Sequence, residues 1–218
     1  MFVVCIPSVN TLGYYLRMKI LALELSSARG SIAVFEGDKE EFFREWPNDR
    51  KNSGPFFESL VGVQKEFGKP GTIIVGLGPG SYAGTRIAIS AAIGLQAASR
   101  ARLIGFPSIC AIECDAAEYC VIGDARRQTF FFARVRENDL AEGPDLMSEA
   151  ELRAKLANID KKMSIFTTEN LLQFERAKVC HPSARLLARL AADSKREFVQ
   201  PPLEPMYLRE PHITISKK

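Results

Sequence analysis

The chain has 218 residues, of which 46% are hydrophobic and 25% charged, a balance that excludes a disordered or fibrous protein. This length makes one large domain or two small ones, and folding it buries about 70% of the unfolded surface, so stability requires neither a disulfide nor a metal. Lys and Arg number 29 against 26 Asp and Glu, a net charge of +3, too slight to mark a nucleic-acid binder on charge alone.

Residues 1–17 lack a basic n-region and a small-residue cleavage site and carry Pro7 inside their apolar stretch, so they do not read as a signal peptide. Met18 reads as the more natural start, with residues 1–17 an extension outside the fold. Ile20–Leu25, Ser31–Phe35 and Glu40–Trp46 are short β-rich runs separated by Ala28-Arg29-Gly30 and Gly37-Asp38, which predicts an antiparallel meander. Ser53 and Pro55 then open a helix whose Phe56, Phe57, Leu60, Val61, Val63 and Phe67 follow the helical period until Gly68-Lys69-Pro70 stops it. Thr72–Val75 is a buried strand, a glycine-rich turn leads into a helix over about Gly84–Ser99, and Leu103–Phe106 is a further strand. From Pro107 a second unit begins, with a short helix over Ser108–Cys114 and strands at Tyr119–Gly123 and Thr129–Val135. A helix capped by Ser148 runs to Leu156, Met163–Thr167 is a strand, and Pro182–Ala192 is a helix with Leu186, Leu187 and Leu190 on one face. Residues 201–205 are an extended linker. No internal repeat is legible, and no run approaches the roughly 18 apolar residues of a membrane span. The five cysteines, Cys5, Cys110, Cys114, Cys120 and Cys180, are odd in number and untidily spaced, which reads as reduced thiols of a cytoplasmic protein.

The most informative stretch is the turn from Gly76 to Arg86. A glycine-rich turn opening a helix favours anions. A Walker loop is excluded because Gly84 is followed by Thr85-Arg86 and not by Lys. A dinucleotide fingerprint is met formally by Gly78, Gly80 and Ala83, but no acid follows the next strand at Gly105-Phe106-Pro107 to hold a ribose. A nucleophile elbow around Ser81 would need glycine where Pro79 and Ala83 stand. Tight strand-to-helix packing explains the glycines equally well, so a ligand role and a packing role both remain open here.

These features, taken with their order and spacing, resemble the TsaB (YeaZ) family of the acetate kinase–sugar kinase–Hsp70–actin superfamily, to which an old glycoprotease label attaches. Residues 18–27, MKILALELSS, resemble its opening strand and first phosphate-type turn, and residues 74–86, IVGLGPGSYAGTR, match its most recognisable motif. Asp124-Ala125-Arg126-Arg127 matches its mid-chain segment, and Pro205-Met206-Tyr207-Leu208-Arg209 its C-terminal one. The motif residues are therefore Gly78, Pro79, Gly80, Ser81, Gly84, Arg86, Asp124, Arg126, Tyr207 and Arg209. The chain departs from the family pattern at Glu24, where Asp is usual, at Asn52-Ser53, where His-Ser is common, and at Thr129 and Phe131, where Glu and Tyr are usual.

The resemblance implies an actin-like (ribonuclease H-like) α/β fold of two subdomains. Residues 18–107 would form the N-terminal subdomain, rejoined by 203–218, and residues 108–202 the smaller C-terminal one. It also implies a non-catalytic scaffold that binds and activates the catalytic paralogue TsaD, which transfers a threonylcarbamoyl group to a tRNA adenosine. The ATPase TsaE is a further implied partner, the protein alone would be a homodimer, and tRNA would be met indirectly through the complex, with contact at the Arg126–Arg136 hairpin a secondary reading. No catalytic residue, metal or resident cofactor is expected, any nucleotide being confined to the partner interface. Ser26, Ser27, Gly78, Gly80 and Ser81 are the candidates for contacting one.

The remaining residues agree with that reading. His181 and His212 have no second histidine at helical spacing, and Cys110 and Cys114 read as buried helical thiols, not metal ligands. A serine or cysteine nucleophile lacks a histidine partner. Arg126, Arg127, Arg134 and Arg136 surround one hairpin, followed by Glu137 and Asp139, and read as a solvated charged hairpin. The alternative is an ATP-dependent small-molecule kinase of the same superfamily, with Ala28–Ser31 as a phosphate turn and Glu24 as its acid, although the second half shows no matching turn. In the helix following the glycine turn, apolar residues fall on two faces, Ile87, Ala91, Leu95 and Ala98 on one and Ile89, Ile93 and Ala97 opposite. Mutual cover of this helix and the preceding one inside the monomer is one reading of that pattern. The resemblance, whose family pairs through helices of the N-terminal lobe, implies instead a partner surface of Phe57, Leu60, Val61, Gln64, Ile89, Ile93 and Gln96.

Overall fold

The computed structural model describes residues 19–48 and 53–209. The expectations placed on residues 1–17, Met18, Asn52, His212 and the rest of 210–218 lie outside them. The first three strands form the predicted meander, β1 (Lys19–Glu24), β2 (Arg29–Glu36) and β3 (Lys39–Pro47). Helix α1 (Gly54–Phe67) leads to β4 (Thr72–Gly76), and α2 (Tyr82–Ser99) to β5 (Arg102–Phe106). The sheet order is β3-β2-β1-β4-β5, antiparallel through the meander and parallel from β1 to β4 to β5.

A 3-10 turn at Ser108–Cys110 carries the chain into a second sheet built from β6 (Glu118–Asp124), β7 (Thr129–Arg136), β8 (Asp139–Ser148), β9 (Ser164–Thr167) and β10 (Ala177–Val179). Helix α3 (Glu149–Ala157) lies between β8 and β9, and α4 (Ala184–Ala192) follows β10. The order here is β10-β9-β6-β7-β8. Numbered from its own first strand, each sheet reads 3-2-1-4-5. No repeat is legible in the sequence, yet the strand order is the same in both sheets.

The apolar alternation explains the layering. Leu21 and Leu23 of β1 face α1 and α2, sharing a core with Ile32, Val75, Phe56 and Ala88. Ile20 and Ala22 point the other way, into a core shared with Tyr119, Val121 and Ala133 of the second sheet and Leu187 of α4. Helix α4 thus lies between the sheets, and α3 covers the far side of the second sheet through Leu152 and Leu156. This is the two-subdomain actin-like α/β fold that the motifs imply.

Four local expectations change. The helix over Ser108–Cys114 is only a single 3-10 turn, because Ile112 is drawn into an antiparallel bridge with Pro182. The same bridge delays the last helix to Ala184, which Ser183 caps by accepting from the Arg185 amide. Strands β8 and β10 were not expected: β8 carries Gly143-Pro144 and interspersed acids, and β10 is a three-residue edge strand. The extended linker is anchored, with Val199 bridged to Gly105 and Leu203 buried against the first lobe.

Candidate functional site

Strands β1 and β4 run parallel in one sheet, and β6 and β9 in the other. Their carboxyl ends face a cleft of about 490 Å³ between the lobes, closed on one side by residues 205–209. Ligand sites of open α/β sheets lie at such strand ends.

The first wall is the β1–β2 turn packed on the glycine turn. The Ser81 amide donates to the Ser26 carbonyl at 2.6 Å. A Cβ on Gly80 would stand 2.1 Å from the Ser26 carbonyl oxygen, and one on Gly84 2.1 Å from that of Leu25. Gly78 has φ +91°, in the left-handed region, which a tight turn reserves for glycine. Its amide donates to the Ser108 hydroxyl at 2.9 Å, and the Ser108 amide returns a bond to its carbonyl at 2.8 Å. Ser81 caps α2, its hydroxyl accepting from the Gly84 amide at 3.2 Å. The packing role of these glycines therefore has a concrete basis. Asn48, which carries no sequence signal, fixes the same wall by donating to the carbonyls of Leu25 and Ser27 at 3.1 and 2.9 Å.

Of the nucleotide candidates, Ser26, Ser27, Gly80 and Ser81 line the cleft, whereas Gly78 lies beneath it and Pro79 is buried. Glu24 is fully buried and does not line the cleft. Its Oε1 accepts from the Ser26 amide at 2.6 Å, while Oε2 has no hydrogen-bond partner. Burial raises its carboxyl above the ordinary value, against opposing pulls from Ser26 and Ser108. The turn assigned to a kinase-type phosphate site is mostly strand: Arg29, Gly30 and Ser31 belong to β2, and the Ser31 hydroxyl accepts from the Ala184 amide at 2.9 Å.

The second wall carries Asp124, Arg126 and Glu169. Asp124 accepts from the Arg126 amide at 2.6 Å and pairs with its guanidinium at 3.2 Å, while the Asp124 amide donates to Glu169 at 2.8 Å. Glu169 had no sequence signal either, since it stands in a turn far from any motif. Arg209 donates to the Thr129 hydroxyl, which donates to the Arg126 carbonyl at 2.8 Å. Tyr207 packs on Tyr82 with ring centroids 5.5 Å apart, and Arg86 donates to the Tyr82 hydroxyl at 2.6 Å. The C-terminal motif thus packs on the glycine motif through Tyr82 and is linked to the mid-chain motif through Thr129.

In the arginine hairpin Arg136 pairs with Glu118 at 3.0 Å and Arg134 lies between Glu118 and Glu142, the partners being these acids and not Glu137 or Asp139. Among the described residues no group of three His, Cys, Asp or Glu is placed to hold a metal. Burial lowers the pKa of His181 and pushes the Cys110 thiol up to about 12. Cys110 is buried as expected, but Cys114 is half-buried and lies beyond the 3-10 turn, not on a helix.

The helical surface of the first lobe is a separate feature. Phe57, Val61 and Ile93 are 46, 48 and 48% exposed, with Gln64 exposed and Gln96 partly so. Leu60 and Ile89, expected on the same surface, are 6 and 5% exposed and belong to the core. The inward face of α2 is Thr85, Ala88, Ile89, Ala92 and Leu95, an arc between the two faces that periodicity suggested. Gly62 and Gly94 on these helices have no atom within 4 Å of where a Cβ would stand.

No family model and no curated protein matches the chain. Two solved structures share its fold: YeaZ from Pseudomonas aeruginosa, and a protein of the same organism with similarity to the peptidase YeaZ. Each aligns with a TM-score of 0.70 at 20% sequence identity, covering 88% of this chain and 100% of the other. Among the described residues no helix is long and apolar enough to cross a membrane.

Proposed function

We propose that the chain is a member of the TsaB (YeaZ) family and serves as a non-catalytic scaffold in tRNA threonylcarbamoyladenosine synthesis, binding the catalytic paralogue TsaD. The reading rests chiefly on the outer surface of α1 and α2. Three large apolar side chains stand there nearly half exposed, beside two glycines that nothing in the monomer requires. Mid-helix glycine costs roughly 0.5–1 kcal/mol relative to alanine, and an exposed apolar patch on paired helices suits a protein partner. The glycines would let a partner helix approach closely. The motif linkages around the cleft, and the likeness to YeaZ in fold, support the same family. In this reading the free protein is a homodimer in the cytoplasm, exchanges its partner for TsaD, works with TsaE and meets tRNA through the complex.

Reconstitution with the cognate TsaD and TsaE, with modified tRNA as readout, tests the proposal. The wild-type chain should support modification and show no ATPase, kinase or peptidase turnover alone. Ile93→Arg should remain folded by circular dichroism, become monomeric and lose support of modification. ATP turnover by the pure protein would favour the kinase reading. An Ile93→Arg variant that still dimerises and binds TsaD would remove the surface from the argument.

A further inference from the structure

The chain passes between the lobes twice, once in residues 107–117 and again in residues 180–183. The two crossings are held side by side. Ile112 is bridged to Pro182 in antiparallel sense, and the Ser183 amide donates to the Ala111 carbonyl at 2.9 Å. Antiparallel register adds to a constant, 112 with 182 and 111 with 183, so the position opposite Cys114 is Cys180. Both residues lie two steps from the bridge on the same side of it, since side chains alternate along an extended pair.

Residues opposed in antiparallel pairs have Cα atoms about 4.5–5.5 Å apart, within the roughly 4.4–6.8 Å span of a disulfide. Both thiols are free, half-buried and packed against the same core cluster. Each is therefore reachable by a small reagent, whereas Cys110 and Cys120 are buried.

We infer that Cys114 and Cys180 form a reversible disulfide that fastens the two interlobe crossings to each other. The oxidant is a low-molecular-weight disulfide. One protein thiolate attacks a sulfur of the reagent, releasing one reagent thiol and leaving a mixed disulfide. The second thiolate attacks the protein sulfur of that adduct, forming the Cys114–Cys180 bond and releasing the other reagent thiol. The protein loses two electrons and two protons, and one disulfide reagent becomes two thiols.

Burial raises both thiols above their ordinary value, and a charge on Cys114 opposes ionisation of Cys180. Below a thiol's pKa the thiolate fraction grows about tenfold per pH unit, and the thiolate is the reactive form. Linkage should therefore be slow at neutral pH and accelerate steeply as pH rises.

The test is to incubate the full chain with oxidised glutathione at pH 7 and pH 8.5, block free thiols, and map peptides without reduction. Cleavage after Glu113 and Glu118 separates Cys114 from Cys110 and Cys120, and cleavage after Lys178 and Arg185 isolates Cys180. The expected product is a linked Cys114–Cys180 peptide pair, formed faster at pH 8.5, abolished by dithiothreitol and absent from Cys114→Ser, which should instead hold glutathione on Cys180. Amide exchange in residues 107–117 and 180–183 should slow on oxidation. Separate glutathione adducts on both cysteines of the wild-type chain without linkage would overturn the inference, as would two unmodified thiols.

Discussion

Helix α2 contains two glycines whose replacement by alanine should shift stability in opposite directions. The intrinsic helical gain is roughly 0.5–1 kcal/mol at mid-helix Gly94 and smaller at Gly84, which lies in the first turn. At Gly84 the new methyl would stand 2.1 Å from the Leu25 carbonyl oxygen and 3.2 Å from its carbon. Ordinary contact begins at about 3.4 Å, so the start of α2 and the β1–β2 turn must part by more than an ångström. The oxygen is backbone and the backbone fixes the position of a Cβ, so no rotamer change relieves the overlap. Overpacking of this kind costs about 1–3 kcal/mol, with backbone collisions at the upper end. At Gly94 nothing lies within 4 Å, and the helical gain is realised in full. A chain of 150–250 residues shifts its midpoint by about 2–4 °C per kcal/mol. Gly84→Ala should therefore melt roughly 2–8 °C below the wild type, and Gly94→Ala about 1–4 °C above it. Thermal unfolding of the full chains, followed by circular dichroism at a concentration where they are monomeric, makes the comparison. Two shifts of the same sign would refute the packing account of the glycine turn.

Two further outcomes follow from the site. Because burial raises the Glu24 pKa above its ordinary 4.5, the folded chain holds a proton that the unfolded chain releases, so stability from this group falls as pH rises from about 4.5 through the folded value. Glu24→Gln should gain steadily on the wild type across that range in urea unfolding, and parallel curves would contradict it. Ser108→Ala leaves the buried Gly78 amide without its 2.9 Å acceptor, a loss of about 1–3 kcal/mol that calorimetry should register as a lower midpoint.

The first lobe was largely legible in the sequence, because β1, β2 and β4 carry apolar runs and α1 is bounded by Ser53, Pro55 and Gly68. The weaker edges were not. Strand β8 mixes Glu142, Gly143, Pro144 and Asp145 into its pairing, and β10 is too short to declare itself. On α2, apolar residues occupy nearly every position, so periodicity could not rank Ile89 against Ile93. The sheet decides, taking Ile89 and leaving Ile93 in solvent. The motif residues Ser81, Asp124, Arg126, Tyr207 and Arg209 all line the cleft. Its supports, Asn48, Ser108 and Glu169, were invisible because they act across long sequence separations through bonds that no spacing encodes.

The repeated topology exposes how the two walls of the cleft differ. In the first lobe β4 is followed by α2, and the turn between them is tied to the end of β1 by the Ser81 amide and the Ser26 carbonyl. In the second lobe β9 runs into turns before β10, without a helix among the described residues between them. There the equivalent tie is a side chain, Glu169, reaching the amide of Asp124. One wall thus presents a helix N-terminus, which favours an anion, and the other presents two carboxylates. Arg126 is paired with Asp124, and Arg209 is spent on Thr129. A polyphosphate spanning this cleft would set its charge against Asp124 and Glu169, at roughly 1–4 kcal/mol per pair at 4 Å. The two walls are therefore fastened by different means, a backbone amide before a helix in one lobe and an acidic side chain in the other.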